Sequence, residues 1–224
     1  MARNKYPELT VERILDVSQK LFLEKGYENT TIQDIVDALG GLTKGAVYHH
    51  FQSKEEIMDA VGDRLFFENN PFEAVRRRSD LNGLQKLQET VRLNQADAAR
   101  ADMTAQAIPI ARSPRILMSM VDSNRRILTP YFLELIEEGN RDGSIHTEYA
   151  REIAELLPLL TSLWLLPTVF PATREEMKRK FRFIGDMLDR MGVPLMDATI
   201  MPLVDAFFDR VPDEKMDAQA AGKS

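Results

Sequence analysis

The feature that most constrains the fold is a series of three short segments with helical periodicity, separated by glycines, in the first quarter of the chain. The first carries apolar residues at three- and four-residue spacing and stops before Gly26. The second follows Thr31 and ends at Gly40 and Gly41, and the third begins after Thr43. Two short helices joined by a glycine-containing turn form a helix-turn-helix unit. The pattern therefore predicts a three-helix domain over residues 1–53.

Polar residues at the expected helix starts set the boundaries of these segments. Thr10 predicts the N-cap of a helix running to residue 25, and Thr31 with Asp34 three residues later predicts a variant capping box. Ser53 followed by Glu56 predicts a further helix over residues 54–67. We interpret this fourth helix as the connection to the rest of the chain.

The third segment, residues 43–51, has a narrow apolar side and a wide polar one. Val47 and Phe51 lie four residues apart and share one helical face. Gly45 stands in the first turn, where glycine costs roughly 0.5–1 kcal/mol relative to alanine. A helix that needed only stability would rarely place glycine there, so we expect another molecule to approach this backbone closely.

The remaining chain predicts a larger helical bundle. Helices are expected near residues 81–100, 103–112, 114–139, 147–170, 173–191 and 197–210, and Pro158 is expected to kink or split the fourth of them. No segment shows the sustained alternation of a strand, so the predicted fold class is all-α. The bundle domain is expected over residues 54–211, and residues 212–224 are expected to form a disordered tail.

Charge and composition limit the kinds of molecule that this protein is expected to bind. The net charge is −6, yet residues 1–54 hold seven basic and seven acidic residues, and none between Asp37 and Glu55 is acidic. A polyanion can dock on that acid-free window, although a window of this length also arises by chance. The chain has no cysteine and no apolar stretch of the ~20 residues that cross a bilayer. We expect a cytoplasmic protein without membrane contact.

Two stretches carry a family resemblance: Thr30 to Ile35, and Gly45-Ala46-Val47-Tyr48-His49-His50-Phe51-Gln52-Ser53-Lys54-Glu55-Glu56. With the surrounding residues 13–67, they resemble the DNA-binding domain of TetR-family transcriptional regulators, and the Tyr-x-x-Phe-x-x-Lys ending is highly characteristic of it. The resemblance implies a homodimer that binds a pseudo-palindromic operator in double-stranded DNA. It also implies a C-terminal bundle that serves for ligand binding and dimerisation, and hence a repressor released by a small-molecule effector.

Residue types and family positions together suggest the DNA contacts. Gly45 and Ala46 are small enough for the backbone to sit deep in the major groove, where Lys44 reaches guanine or phosphate and His49 points away from the core. The family motif places Tyr48, His50 and Lys54 on phosphate or sugar, Thr31 on phosphate through hydroxyl and amide, and Gln33 near a base. The expected set is Thr31, Gln33, Thr43, Lys44, Gly45, Ala46, Tyr48, His49, His50 and Lys54.

One departure from the family pattern lies in the turn between the second and third helices. The commonest pattern has a single glycine where Gly40 and Gly41 stand, so this chain carries one extra residue. A wider turn changes the pitch of the third helix. The base-reading residue is therefore left open between Lys44 and His49.

The sequence of the predicted bundle gives weaker indications of function than the helix-turn-helix segment does. Apolar residues suited to an effector pocket are Met103, Met118, Phe132 and Trp164, although such residues at helical spacing are also typical of a plain core. Apolar faces on the late helices suggest a dimer interface, and the same positions also suit an internal core: Leu156, Leu160, Leu163, Met201, Val204 and Phe208.

Other functions have less support in the sequence. His49 and His50 are adjacent and point about 100° apart on a helix, so they do not form a metal site, and no metal or other cofactor is expected. No phosphate loop, nucleophile elbow or His-Glu-x-x-His motif indicates an enzyme. Two alternatives remain: a DNA-binding regulator controlled by a protein partner instead of an inducer, and, more remotely, an all-α enzyme.

Overall fold

The computed structural model describes residues 7–68, 70–96 and 114–210. Within these ranges the chain forms helices and their connections and no strand, which confirms the predicted all-α class. The described residues divide into two compact units, one formed by residues 7–68 with residues 114–116 and the other by the remainder. The predicted helix over residues 103–112 and the predicted tail at 212–224 lie outside the described residues.

The first unit is built from four helices: α1 (Pro7–Lys25), α2 (Ile32–Leu39), α3 (Lys44–His50) and α4 (Lys54–Glu68). Helix α1 begins three residues before the predicted cap, and Thr10 lies buried inside the helix. Proline is well tolerated at a helix start, because the amide hydrogen that it lacks would have no partner there. The predicted start at Thr10 was wrong for this reason.

One apolar core joins the four helices of the first unit. Each contributes at least one side chain that is almost completely removed from solvent: Ile14 and Phe22 from α1, Ile35 from α2, Val47 from α3 and Ile57 from α4. Burying a side chain of this size contributes roughly 1.5–3 kcal/mol. The short helices α2 and α3 therefore depend on this shared core, because isolated helices of their length are marginal in water.

Helix α4, expected from the sequence to be a connecting helix of the second domain, packs against α1 in the first unit. The guanidinium of Arg64 is 13% exposed and donates to Asp16 at 2.7 Å, to Gln19 at 2.7 Å and to Glu12 at 3.2 Å. These partners lie along α1 at three- and four-residue spacing, which is one helical face. The first compact unit thus extends through α4 and not only to residue 53.

The second unit contains seven further α-helices among the described residues: α5 (Pro71–Arg76), α6 (Gly83–Ala96), α7 (Pro114–Ser123), α8 (Thr129–Asp142), α9 (Ala150–Leu159), α10 (Arg174–Arg190) and α11 (Ile200–Arg210). Residues 114–116 of α7 cluster with the first unit. The short helix α5 was not predicted. The helix expected over residues 147–170 begins later and ends at Trp164.

Two π-helical turns interrupt the regular helices of this unit. One, Asn124–Leu128, joins α7 to α8, and the other, Leu160–Trp164, continues α9 beyond Pro158. The buried Asn124 side chain donates to the Ser162 hydroxyl at 2.6 Å and so links the two turns. A proline inside a helix removes one backbone hydrogen bond, and here the π-helical turn begins two residues after Pro158.

Candidate nucleic-acid interface

Helix α2 is held at its N-terminus by a complete capping box. The Thr31 hydroxyl accepts from the Asp34 amide at 3.1 Å, and the Asp34 carboxylate accepts from the Thr31 amide at 2.8 Å. Lys25 pairs with the same carboxylate at 2.8 Å. The hydrogen bonds from Lys25, then from the hydroxyl and amide of Thr31, hold the pKa of Asp34 well below its ordinary value.

The turn between α2 and α3 accommodates its extra residue with two glycines in succession. Gly40 has φ 54° and Gly41 has φ 93°, and a Cβ at either position would meet no atom within 4 Å. Residues with side chains rarely adopt such angles, whereas glycine adopts them readily. Four residues, 40–43, thus separate the two helices, and the half-buried Leu42 lies in this turn.

Helix α3 begins at the predicted cap and presents the predicted polar face. The Thr43 hydroxyl accepts from the Ala46 amide at 3.2 Å. Val47 is fully buried and Phe51 nearly so. The outward face consists of exposed Lys44, Gly45, Tyr48 and His49, flanked by half-buried Ala46 and His50. This surface, residues 43–50, is called the α3 face below.

The α3 face carries one formal positive charge, on Lys44, and two neighbouring imidazole rings. The Lys44 ammonium lies 6.0 Å from the centroid of the Tyr48 ring, and the rings of His49 and His50 are 5.2 Å apart. The nearest acidic residue before the window, Asp37, accepts a hydrogen bond from the Gln33 side chain at 2.8 Å on the exposed side of α2. Gln33 is thereby held by a neighbour on its own helix.

Two of the residues expected to bind phosphate are engaged within the unit. The amide and hydroxyl of Thr31 both bond the Asp34 carboxylate. The Lys54 ammonium donates to the carbonyls of Tyr27 at 2.7 Å and Thr30 at 2.9 Å. The Lys54 bonds join residues that are 24 and 27 positions apart in the sequence, whereas the Thr31–Asp34 bonds join residues three positions apart and have a local sequence signal.

The residues expected to line an effector pocket occupy different surroundings in the second unit. Met118 is 67% exposed and lies on the surface, whereas Phe132 is buried and packs edge-to-face on Phe72 with centroids 4.9 Å apart. Trp164 contacts Phe183 with centroids 5.7 Å apart. Met103 lies outside the described residues.

The residues expected at a dimer interface divide between the surface and the core. Val204 and Phe208 of α11 are buried within the unit, where Phe208 contacts Phe181 and Phe207, so in this chain they are internal packing residues. Leu156 is 40% exposed, while Leu160, Leu163 and Met201 are half-buried. The sequence prediction overlooked two further exposed apolar residues, Leu159 on α9 and Phe183 on α10. The sequence does indicate Leu159, because it lies three residues after Leu156 and so falls on the same helical face.

Two further properties concern the described residues alone. They contain no group of three or more His, Cys, Asp or Glu side chains placed to hold a metal ion. None of the helices in these ranges is long and apolar enough to cross a membrane.

The fold and the α3 face together define an all-α protein with an N-terminal helix-turn-helix domain. A family-level comparison matches residues 14–61 to the family described as "Bacterial regulatory proteins, tetR family". This match covers α1 from Ile14, all of α2 and α3, and the first half of α4. Residues 14–61 are therefore similar to the N-terminal domain of TetR-family regulatory proteins.

A curated protein and a solved structure are also similar to this chain. The HTH-type transcriptional repressor KstR2 of Rhodococcus jostii is 46% identical over 48 residues, which are 21% of this chain and 23% of that protein. The match thus spans about a quarter of the length of that curated relative. A tetR-family regulatory protein from Rhodococcus RHA1 has a solved structure that aligns with TM-score 0.50 and 24% identity over 82% of this chain and 97% of its own.

A third comparison extends the shared fold over the bundle. A protein from Saccharomonospora viridis, solved in complex with choline, aligns with TM-score 0.52 and 19% identity over 81% of this chain and 96% of its own. At this level of identity the likeness concerns the fold alone. The N-terminal helix-turn-helix domain followed by a helical bundle is therefore the architecture that these proteins share.

Proposed function

We propose that the protein is a sequence-specific DNA-binding transcriptional regulator, and specifically a repressor that binds a pseudo-palindromic operator as a homodimer. The observation that carries the proposal is the α3 face: a helix anchored by Val47 and displaying small, basic and aromatic residues in an acid-free window. A helix of this kind fits the major groove, which is wide enough to admit it. The site of action is then the compartment that holds the DNA, the cytoplasm.

The α3 face suits different contacts along its length. Gly45 and Ala46 allow close approach of the backbone, and Lys44 and His49 lie on the exposed side where base edges would be read. Tyr48 and His50, at the flanks, suit phosphate or sugar contacts, with Thr43 at the helix start. Gln33, on the exposed side of α2, is the further candidate for a base contact.

Selection of DNA from a randomised duplex library by the full-length protein tests this proposal. We expect enrichment of an inverted repeat whose half-sites lie about one helical turn or a multiple apart, because each subunit of a dimer presents one α3 face. Lys44→Met should lower the slope of log K against log salt by about 0.9 if Lys44 meets a phosphate. Binding of all duplexes with equal affinity would contradict a sequence-specific regulator.

The proposed dimer uses α9 and α10 instead of α11. Leu156, Leu159, Leu160 and Leu163 follow the spacing of one helical face on α9 and its π-helical turn. The next residue, Trp164, contacts Phe183 on α10, so apolar side chains run from one helix to the other. Two helices from each subunit would then form a four-helix interface.

We further propose that a small molecule bound in the second unit releases the protein from DNA. The family resemblance supports this, and the choline complex of the Saccharomonospora viridis protein provides a precedent for a small-molecule ligand of a protein with this fold. A ligand acts in this way only through different affinities for the DNA-bound and free conformations. A library of small molecules screened for release of a fluorescent operator duplex tests it. If none releases the duplex while a cellular protein does, regulation by a protein partner is favoured.

A further inference from the structure

The polar groups around the turn between α1 and α2 are bonded to one another. Thr30, which is fully buried, donates its amide to the Tyr27 carbonyl at 3.2 Å and its hydroxyl to the Gly26 carbonyl at 2.9 Å. The next residue, Thr31, is the N-cap of α2. The position of this turn therefore fixes where α2 begins and hence the orientation of the helix-turn-helix unit.

Lys54 reaches this turn from the first residue of α4. Its ammonium donates to the Tyr27 carbonyl at 2.7 Å and to the Thr30 carbonyl at 2.9 Å, across 27 and 24 residues of sequence. It also lies 4.1 Å from the centroid of the Tyr27 ring. Tyr27 is itself 2% exposed and packs against Phe22 of the core. The lysine therefore joins the start of α4 to the turn that precedes α2.

The hydrogen bonds of the Lys54 ammonium favour a link to the turn before α2 over a role as a phosphate ligand. A lysine ammonium has three N–H donors, and Lys54 uses two of them on backbone carbonyls, with an aromatic ring close by. Lys44 differs, since its exposed ammonium stands on the α3 face with the Tyr48 ring at 6.0 Å. Thr31, the other expected phosphate ligand at this corner, has its amide and hydroxyl on Asp34.

We propose that Lys54 is a positioning residue that holds the turn before α2, and so orients the DNA-binding helices, instead of serving as a phosphate ligand. Lost hydrogen bonds to Lys54 would let the turn and the start of α2 move relative to α4. DNA affinity would then fall without loss of a phosphate contact. The part of this inference that concerns DNA rests on the function proposed above.

The test compares Lys54→Met with the matched control Lys44→Met in the full-length protein. Two quantities are measured: the hydrogen-exchange rate of the Thr30 amide without DNA, and the affinity for a duplex selected by the wild-type protein, over a range of salt. Lys54→Met should speed Thr30 exchange and weaken DNA binding, each about tenfold, with an unchanged salt slope. Lys44→Met should leave Thr30 exchange unchanged, and it should lower the slope by about 0.9 if Lys44 meets a phosphate.

A charge-preserving variant and a milder one complete the design. Lys54→Arg keeps donors for both carbonyls, so it should restore exchange and affinity towards the wild-type values. If Lys54→Met does not fold, the same measurements on Lys54→Gln distinguish the positioning role from the phosphate contact, because glutamine keeps a hydrogen-bond donor on a shorter side chain.

Two results would overturn the inference. One is a salt slope lowered by about 0.9 in Lys54→Met, whatever the rate of Thr30 exchange, which identifies a phosphate ligand. The other is unchanged Thr30 exchange at any slope, which shows that Lys54 does not hold the turn. A protein that selects no DNA at all contradicts the proposed function alone, since the exchange measurement does not involve DNA.

Discussion

Gly45→Ala should stabilise the protein and weaken its DNA binding, two effects of opposite direction. Gly45 lies in the first turn of α3 and does not have a positive φ, so alanine fits its backbone conformation. A Cβ there would meet only the Thr43 hydroxyl, at the ordinary contact distance of 3.9 Å. Alanine in such a position should raise the free energy of unfolding by roughly 0.5–1 kcal/mol.

The opposite effect on DNA binding follows from the proposed docking of α3 in the major groove. The added methyl group would stand on the exposed side of the helix, where the backbone is expected to approach the bases. Extra atoms in a close-packed contact cost roughly 1–3 kcal/mol, which corresponds to about 5- to 150-fold in affinity. Urea unfolding and operator titration measure the two quantities separately.

Gly62→Ala is the matched control for this experiment. Gly62 lies in α4, has no positive φ, and a Cβ there would meet no atom within 4 Å. Its replacement should raise stability by a similar amount and leave DNA affinity unchanged. Wild-type affinity in Gly45→Ala would refute the close approach of the α3 backbone to DNA.

Three further outcomes are expected. Asp34→Asn should be less stable than the wild type at neutral pH. Because the folded-state pKa of Asp34 is lowered, its contribution is fully present above the ordinary value of 3.8, begins to fall near that value, and is lost only as the pH passes through the lowered pKa. The difference between the two proteins should therefore become smaller in acid; the same difference in urea unfolding at pH 7 and pH 3 would contradict this. Arg64→Met should lower the free energy of unfolding by about 2 kcal/mol, because it removes the hydrogen bonds that the Arg64 side chain donates to α1; an unchanged urea midpoint would show that α4 does not depend on them. Phe183→Asp should produce a monomer by light scattering, since it places a carboxylate in the proposed apolar interface. A dimer that persists in this variant would place the interface elsewhere.

Much of the helix-turn-helix unit follows from local sequence. The caps at Thr31 and Thr43, and the glycines that end α1 and α2, are interactions between residues a few positions apart. The apolar spacing that buries Val47 and Phe51 is likewise a property of one helix turn. For this reason the bounds of α2 and α3, and the outward direction of Lys44 and His49, were predicted without knowledge of the tertiary structure.

Other parts of the protein are determined by contacts between residues far apart in sequence. The Lys54 ammonium has two carbonyl partners more than twenty residues away, and Arg64 binds carboxylates of α1, so neither direction can be read from local spacing. Likewise, apolar periodicity on α11 shows that Val204 and Phe208 share a face, but not whether this face meets the chain's own core or a second subunit. Local hydrogen bonds and periodicity thus define the helices of this chain, whereas long-range packing decides which of their side chains remain available to a partner.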